Sequence, residues 1–483
     1  MSPSVEPFNE AKYKALMDGL ECSEVSFSNI DLGDRFDAEY FTKEYLFMDN
    51  TLAKRTTIKL GELASTVASA FYPAATQLYS TGDMPFVRCV DCIDYPIMTK
   101  EQDESFEKIP YSFGKANKGI SFIGKEDIVV TKVGTPCFAT INAEYDEIAL
   151  SRTVLGLTNI KLADPYYLMI FLRCKYGFEQ LYRQRELTIQ YQLTLPRVKS
   201  VNVFLTSKTF QKLIRKIGID YITLHNKANR SYHIVEQLLL STLGMSDFTS
   251  QQQTVSVKLF SESYGFSGRL DAEYYHPKYT VYTDALKTTD TVQTICNLYD
   301  KNFIPCEDME YNYIELANVG SVGNINNVEK ILGKDLPSRA RRQVKTGQVI
   351  VSSVEGSLQN CALITEEYNN SLCSTGFYVL DSDVLNSETL LILFKSDPIQ
   401  ALLKQRCSGT ILTAIAKDEL LSMPLPPIDV TLQKEIAIKV QKSFTLRRQS
   451  EKLLEYAKRA VEIAIEQDEE TAMEWLKEKG VEC

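Results

Sequence analysis

Histidine is scarce: His225, His233 and His276 are the only three in 483 residues. A zinc site beside the lone Cys89-x-x-Cys92 would need a second cysteine pair or histidines, and the three histidines follow no nucleophile elbow. If that segment is a strand, Cys89 and Cys92 also point to opposite faces. Long apolar runs are missing too. The longest, Tyr166 to Leu172, is well short of the ~18–20 residues of a membrane helix and reads as a core element. The first residues show no basic segment followed by an apolar one, so no secretory signal is expected. Eleven cysteines in that setting read as reduced thiols in a cytoplasmic protein. With 22 glycines and 16 prolines the chain is neither collagenous nor of low complexity.

Two further motifs fall short of catalysis. Gly114-Lys-Ala-Asn-Lys-Gly119 lacks the closing Gly-Lys-Ser/Thr of a phosphate loop and reads as a solvated turn. Asp164-Pro-Tyr-Tyr167 is similar to the Asp-Pro-Pro-Tyr of amino-methyltransferases without its second proline, and no glycine-rich cofactor loop accompanies it. An aspartate cap with proline at the first helical position explains it better. No paired carboxylates stand out, so no catalytic residue, no metal ligand and no cofactor bound by this chain are expected.

What is present is ordinary globular material, 44% hydrophobic and 24% charged, enough for two to four domains at roughly 100–200 residues each. A net charge of -10 argues against a free-standing nucleic-acid binder. The acidity, however, sits at the ends. Residues 1–50 hold 4 basic and 11 acidic side chains, residues 451–483 hold 5 and 10, and the middle holds 44 and 42.

The chain also repeats itself. Arg35-Phe-Asp-Ala-Glu-Tyr-Phe41 recurs as Arg269-Leu-Asp-Ala-Glu-Tyr-Tyr275 at an offset of 234, as does Tyr45 at Tyr279. Later matches run at an offset of about 222: Asp127–Val130 with Gln348–Val351, Tyr167–Leu172 with Thr389–Phe394, and Thr209-Phe-Gln-Lys212 with Thr431-Leu-Gln-Lys434. A period this long is too great for a solenoid and implies duplication of a whole module. Each copy opens with the acidic lead-in, continues as mixed strand and helix, reaches a proline step (Leu195-Pro196; Pro424-Leu-Pro-Pro427) and closes on a long helical pattern.

The first closing pattern places Phe210, Ile214, Ile217, Tyr221, Leu224, Ala228, Val235 and Leu238 at alternating 4-3 spacing, with Ser231 in one seam position. It predicts a helix over 207–243, ~55 Å long, stopped by Gly244. The second runs Leu432, Ile436, Val440, Phe444, is interrupted by polar Arg447–Lys452, and resumes at Leu454, Ala457, Val461 and Ala464. Thr431 is the expected N-cap. Helices with one apolar stripe need a partner, and the 3.5-residue period favours each other over their own modules.

Between the shared anchors the copies differ. Pro85–Ile93 and Tyr313–Val319 alternate like strands, Asp127–Lys132 and Gln348–Ser353 are β-branched strands, and each of the latter runs into a turn at Val133–Pro136 or Val354–Ser357. Whether Tyr166–Leu172 and Leu390–Lys395 are helices or buried strands is left open by periodicity. Basic residues gather in the differing loops: Lys115, Lys118 and Lys125 in copy one; Arg339, Arg341, Arg342 and Lys345 in copy two. Clustered Lys and Arg suit phosphate contacts, and Arg can take guanine O6 and N7 together. Lys132, Thr135, Arg152, Arg183, Arg185 and Gln190, then Ser353, Ser357, Gln405 and Arg406, complete the candidate DNA contacts.

The duplicated Arg-x-Asp-Ala-Glu-Tyr segments, the strand-then-glycine loops at Gly134 and Gly356, and the Leu-Pro steps followed by Phe210-Gln-Lys and Leu432-Gln-Lys helices together resemble the specificity (S) subunits of type I restriction–modification systems over nearly the whole chain. The resemblance implies an α+β fold of two tandemly duplicated α/β target-recognition domains joined by two long antiparallel coiled-coil helices. The segments would be an acidic N-terminal stretch (1–34), target-recognition domain one (35–205), a central spacer helix (206–246), a linker (247–268), target-recognition domain two (269–429), a C-terminal spacer helix (430–470) and an acidic tail (471–483). It further implies a non-catalytic, cytoplasmic subunit of a methylation-linked antiviral defence complex. Each domain would read half of a bipartite double-stranded DNA site in the major groove. Partners would be adenine methyltransferase (modification) subunits carrying S-adenosylmethionine, with a restriction or translocase subunit using ATP and Mg as a further partner. The acidic ends depart from the pattern and read as a docking surface or as the mark of a related system without the usual nuclease. Two alternatives remain: an interaction scaffold that no longer reads DNA, whose basic loops could be replaced without effect, and a divergent methyltransferase, which would bind S-adenosylmethionine alone.

Overall fold

A computed structural model describes the chain except residues 1–7, 28–29, 31–34, 36, 136, 187–190, 246–254, 327, 410–412 and 482–483. The fold is mixed α+β, with several small sheets and long helices. It divides into two units, Met1–Leu224 with Gln449–Cys483, and His225–Arg448. The chain leaves the first unit inside the helix Lys208–Thr242 and returns inside the helix Val430–Glu466. The unit boundary thus falls within the helices and not at their ends. The cause is packing: Phe210, Ile214, Ile217, Leu454, Ala457 and Val461 belong to the core of the first unit, whereas Val235, Ile436 and Val440 belong to that of the second.

The first unit has a five-stranded sheet ordered Ser65–Ala68, Val154–Thr158, Ile128–Thr131, Ala139–Asn142, Ile97–Met98. A four-stranded sheet follows the order Lys108–Ile109, Met84–Val87, Glu147–Leu150, Phe122–Gly124, its two central strands parallel. The second unit has sheets ordered Asn297–Leu298, Phe377–Asp381, Val349–Ser352, Cys361–Leu363 and Glu329–Leu332, Glu310–Ile314, Leu372–Ser374, Ala340–Gln343. Its second sheet again pairs the two central strands in parallel. Apart from the fifth strand of the first sheet, order and strand sense in these two pairs of sheets agree between the units; each unit adds a two-stranded sheet of its own, Thr57–Lys59 with Asn202–Phe204 and Cys407–Ser408 with Ala414–Ile415.

The undecided segments are helices, Pro165–Arg173 and Ser387–Lys395. Asp164 caps the first by accepting from the N–H groups of Tyr166 and Tyr167, with Pro165 at its first position, and Asn386 caps the second through Thr389 N–H. Their burial, complete for Leu168–Leu172 and Leu390–Leu391, hides the 3.6 periodicity. The repeated glutamine of the Phe/Leu-Gln-Lys segments holds each helix in place. Gln211 accepts from Asp164 N–H at 2.8 Å and donates to Thr206 O at 2.8 Å, while Gln433 accepts from Asn386 N–H at 2.7 Å and donates to Ile428 O at 2.9 Å.

Several local expectations change. The strand at Pro85 ends at Val87, and Cys89–Asp94 is helical because the Asp91 carboxylate accepts Arg88 N–H at 2.7 Å and closes the turn. In the second unit Asn318 accepts Glu315 N–H at 2.7 Å, and Leu316–Asn318 is a 3₁₀ turn. Cys89 and Cys92 therefore sit on one helix, Cys92 wholly buried, and burial raises the pKa of both thiols. The Gly114–Gly119 turn begins as a helix, Tyr111–Ala116. The cap of the second long helix is Asp429, which accepts from Thr431 N–H at 2.8 Å, and not Thr431. Finally, the C-terminal segment is a helix, Glu469–Glu478, whose Ala472 and Leu476 are buried in the first core.

The long helices also differ from the heptad reading. In the first, burial follows Phe210, Ile214, Ile217, Tyr221, His225, Ala228, Tyr232, Val235 and Leu239, while Leu224 is only half-buried. Those steps average close to the 3.6 residues of a straight α-helix. The second keeps strict 3-4 spacing through its polar stretch: Ile436, Val440, Ser443, Arg447, Ser450, Leu454, Ala457, Val461; Leu432 is half-buried. Hydrogen bonds replace apolar contact there. Within the second unit Ser443 Oγ donates to Ala228 O at 2.8 Å, Ser231 Oγ to Lys439 O at 2.9 Å, and Arg447 to Asn229 Oδ1, so the two stretches run antiparallel.

Burial, with the Arg447 charge beside it, lowers the His225 pKa from its ordinary 6.5 to about 3. A base whose pKa is depressed on folding leaves the native state short of a proton between the two values. Its contribution is therefore full above about pH 6.5 and is lost as pH falls, by up to ~1.4 kcal/mol per pH unit. Urea denaturation between pH 7 and pH 4.5 is expected to show this slope, and His225→Gln to flatten it. An unchanged slope in the variant would contradict the assignment.

Candidate nucleic-acid interface

The repeated Arg-x-Asp-Ala-Glu-Tyr segment is a clasp. In the first unit Arg35 pairs with Asp37 at 2.6 Å, and its Nη1 donates to the carbonyls of Arg183, at 3.0 Å, and Arg185. Asp37 also accepts Tyr40 N–H at 3.2 Å. In the second unit Arg269 pairs with Asp271 at 2.8 Å and donates to the carbonyls of Arg406 and Cys407 at 3.4 and 3.0 Å. Asp271 accepts Tyr274 N–H at 3.0 Å. Each clasp binds the C-terminal end of a helix, Lys175–Arg183 or Asp397–Arg406, where cationic donors are favoured. At Asp37 burial is the largest single influence and pushes the pKa up, but the Arg35 bond and charge together with backbone N–H bonds outweigh it; at Asp271 the Arg269 bond is itself the largest, and both aspartates are held below the usual carboxylate range.

Four of the sequence candidates belong to this clasp. Arg183 is 8% exposed at its side chain; it donates to Tyr40 O at 2.6 Å, pairs with Asp49 at 2.6 Å and lies 3.9 Å over the Tyr40 ring. Gln405 donates to Tyr274 O at 2.8 Å, the matching contact. Arg406 is buried, which lowers its pKa, and donates to Leu402 O at 3.3 Å. Arg185 donates to Tyr182 O at 2.7 Å and stacks between Tyr182 and Tyr191. Arg183 and Arg406 are thus corrected from DNA contacts to internal fastenings, because both side chains are nearly buried and hydrogen-bonded within the fold. The same sequence signal, a helix-terminal Arg, serves either use.

The remaining candidates divide by exposure. Lys118, Thr135, Arg152, Arg339 and Lys345 are exposed; Lys115 is exposed but paired with Glu147 at 2.6 Å. Lys132, Arg341 and Arg342 are half-buried, the latter two within the edge strand Ala340–Gln343. Ser353 donates to Gly376 O at 2.9 Å, and Ser357 shares a 3.0 Å bond with Ser352. Gln190 lies outside the described residues. Sequence reading missed Phe71, 82% exposed beside Arg152, and Ile304, 83% exposed.

A cavity of about 760 Å³ in the first unit is lined by Tyr40, Asp49, Arg183, Glu186, Arg197 and Asn202, among others. Its two arginines are paired, Arg183 with Asp49 and Arg197 with Glu186 at 3.3 Å, while Lys59 donates to Ser200 O at 2.9 Å. Among the described residues no group of three or more His, Cys, Asp or Glu could hold a metal ion, and no helix is long and apolar enough to cross a membrane.

No family model matches the chain, and no curated protein does. Solved structures do. The type I restriction–modification S subunit from M. genitalium is 12% identical, with 85% of this chain and 95% of that one covered and a TM-score of 0.40. A structure described as the basis of complex assembly and conformational transition of the type I R-M system is 13% identical, covering 86% and 98%, at a TM-score of 0.29. The HsdS subunit from Thermoanaerobacter tengcongensis is 14% identical, covering 86% and 97%, at a TM-score of 0.28.

Proposed function

We propose that the chain is the DNA-reading specificity subunit of a restriction–modification or related methylation-linked defence complex in the cytoplasm. Each unit is a target-recognition domain for one half of a bipartite site, and the paired long helices act as a coiled-coil-like spacer. The observation that carries this reading is the agreement of strand order and sense between two units whose exposed loops differ, down to the clasp and the Gln211/Gln433 brace. One scaffold with two loop sets suits two half-sites, and linking them adds their binding energies. Phosphate contact falls to Lys118, Arg152, Arg339 and Lys345, with Arg341 and Arg342 at the sheet edge. With 44 basic against 42 acidic side chains between residues 51 and 450, binding by the chain alone is weak and salt-sensitive. Partner adenine methyltransferase subunits would supply S-adenosylmethionine and most of the phosphate neutralisation; a motor nuclease would bring ATP and Mg.

Deleting the gene in its native host is expected to erase adenine methylation at one bipartite motif, and returning it to restore that motif. Genome-wide mapping of N6-methyladenine reads the result. An unchanged map would reject this function.

A further inference from the structure

Phe71 is an aromatic ring set in solvent on a fixed base. Its neighbour Tyr72 is buried, packs edge-on against Phe86 at 5.9 Å, and accepts Arg152 N–H at 3.2 Å. On the other side Ala70 N–H donates to Gly119 O at 2.8 Å. A Cβ at Gly119 would lie 2.0 Å from the Phe71 carbonyl, so only glycine allows this approach. The exposed Arg152 guanidinium lies 6.0 Å from the Phe71 ring and 5.0 Å from that of Tyr72. The backbone is pinned on both sides of a side chain that buries almost nothing.

The second unit repeats the arrangement at the same place in its topology. Phe71 lies between Ser65–Ala68 and Met84–Val87, and Ile304 lies between the matching strands Asn297–Leu298 and Glu310–Ile314. Phe303 N–H donates to Arg341 O at 2.8 Å, which fastens Ile304 beside the basic strand Ala340–Gln343. The residue types differ, and a guanidinium lies beside the ring only at Phe71, but each unit holds one apolar tip on fastened backbone, Ile304 next to a strand that carries Arg341 and Arg342. Single exposed apolar side chains are ordinary on a protein surface; what sets these two apart is their matching place in the two topologies, on backbone that is hydrogen-bonded beside each.

Apolar side chain and guanidinium together match the edge of duplex DNA in the major groove. Thymine offers a methyl group to the first and guanine offers O6 and N7 to the second. Exposed Lys118 near one tip, and Arg339 near the other, favour a polyanion over an apolar protein surface. We propose that Phe71, backed by Arg152, contacts a thymine methyl in one half-site, and that Ile304 does so in the other. The proposal rests on the DNA-reading function above.

The test returns Phe71→Ala and Ile304→Ala chains to the deletion host and maps N6-methyladenine. Phe71→Ala is expected to relax one thymine-containing position of one half-site, and Ile304→Ala one position of the other, each weakening the preferred base about 5- to 50-fold. Deoxyuridine at that thymine, in binding assays with the full chain and synthetic duplex, should weaken the wild type by a similar factor and Phe71→Ala no further. An unchanged motif overturns the tip assignment while leaving the function intact, provided the wild-type gene restores methylation. Equal loss at both half-sites, with the chain at wild-type level, identifies a contact for assembly and overturns it too. Failure of the wild-type gene to govern any motif rejects the function itself.

Discussion

A chain lengthened by seven residues in both long helices, after Leu224 and after Arg448, is expected to direct methylation to the same two half-sites with a gap about 3 base pairs longer. Seven residues add about 10.5 Å of helix, and B-DNA rises 3.4 Å per base pair. Both insertions are required because the helices are fastened on each side of the unit boundary. Ser443–Ala228 and Arg447–Asn229 bind one side, and the core shared by Ile217, Tyr221, Leu454 and Ala457 binds the other. Lengthening one helix alone forces one of these sets out of register, and a chain that precipitates or loses methylation is the expected outcome. The paired insertion is not free of cost. Seven residues fall about 20° short of two helical turns, whereas three base pairs turn the duplex by roughly 100°. Methylation at the new motif should therefore be weaker, its half-sites unaltered. A motif with the original gap would count against the helices as a ruler.

Much of the framework is legible in the sequence, for identifiable reasons. Repetition at fixed offsets exposes the two modules because the residues that recur do the same mechanical work, Arg35 and Arg269 in the clasp, Gln211 and Gln433 against the helix caps. What that work is cannot be read from the repeat. A sequence shows that Arg183 is basic and lies at a helix end, and only the fold shows Tyr40 O and Asp49 taking its donors. The seam fails in the same way. Hydrophobic patterning skips polar residues, so it passes over His225, Ser443 and Arg447 although they are buried. The first helix reads as a heptad because Leu224 looks more buried by type than His225 and Leu238 keeps the seven-residue repeat that its neighbour Leu239 breaks, whereas the fold buries His225 and Leu239. Phe71 escapes pattern reading because an isolated phenylalanine in a loop carries no periodic signal; what distinguishes it is Gly119, distant in sequence, which lets the chain close beneath it.

Arg183→Ala is expected to destabilise the first unit by about 3 kcal/mol and to leave both half-sites unchanged. The side chain makes two charge-assisted hydrogen bonds, to Tyr40 O and Asp49, each worth ~1.5–3 kcal/mol. Stacking over Tyr40 adds roughly 0.5–1 kcal/mol. Asp49 is 44% exposed, so water recovers part of its loss, which brings the total down. The matched position in the second unit sets the scale: Gln405 makes a neutral bond to Tyr274 O, and Gln405→Ala should cost only ~1 kcal/mol. Denaturant titration measures both, and methylation mapping of the same variants measures reading. If Arg183→Ala instead kept its stability and lost one half-site, the guanidinium would be contacting DNA and the clasp would be held by Arg35 alone. The buried, doubly paired geometry argues for the first outcome, because a donor must leave Asp49 and Tyr40 before it can meet a phosphate.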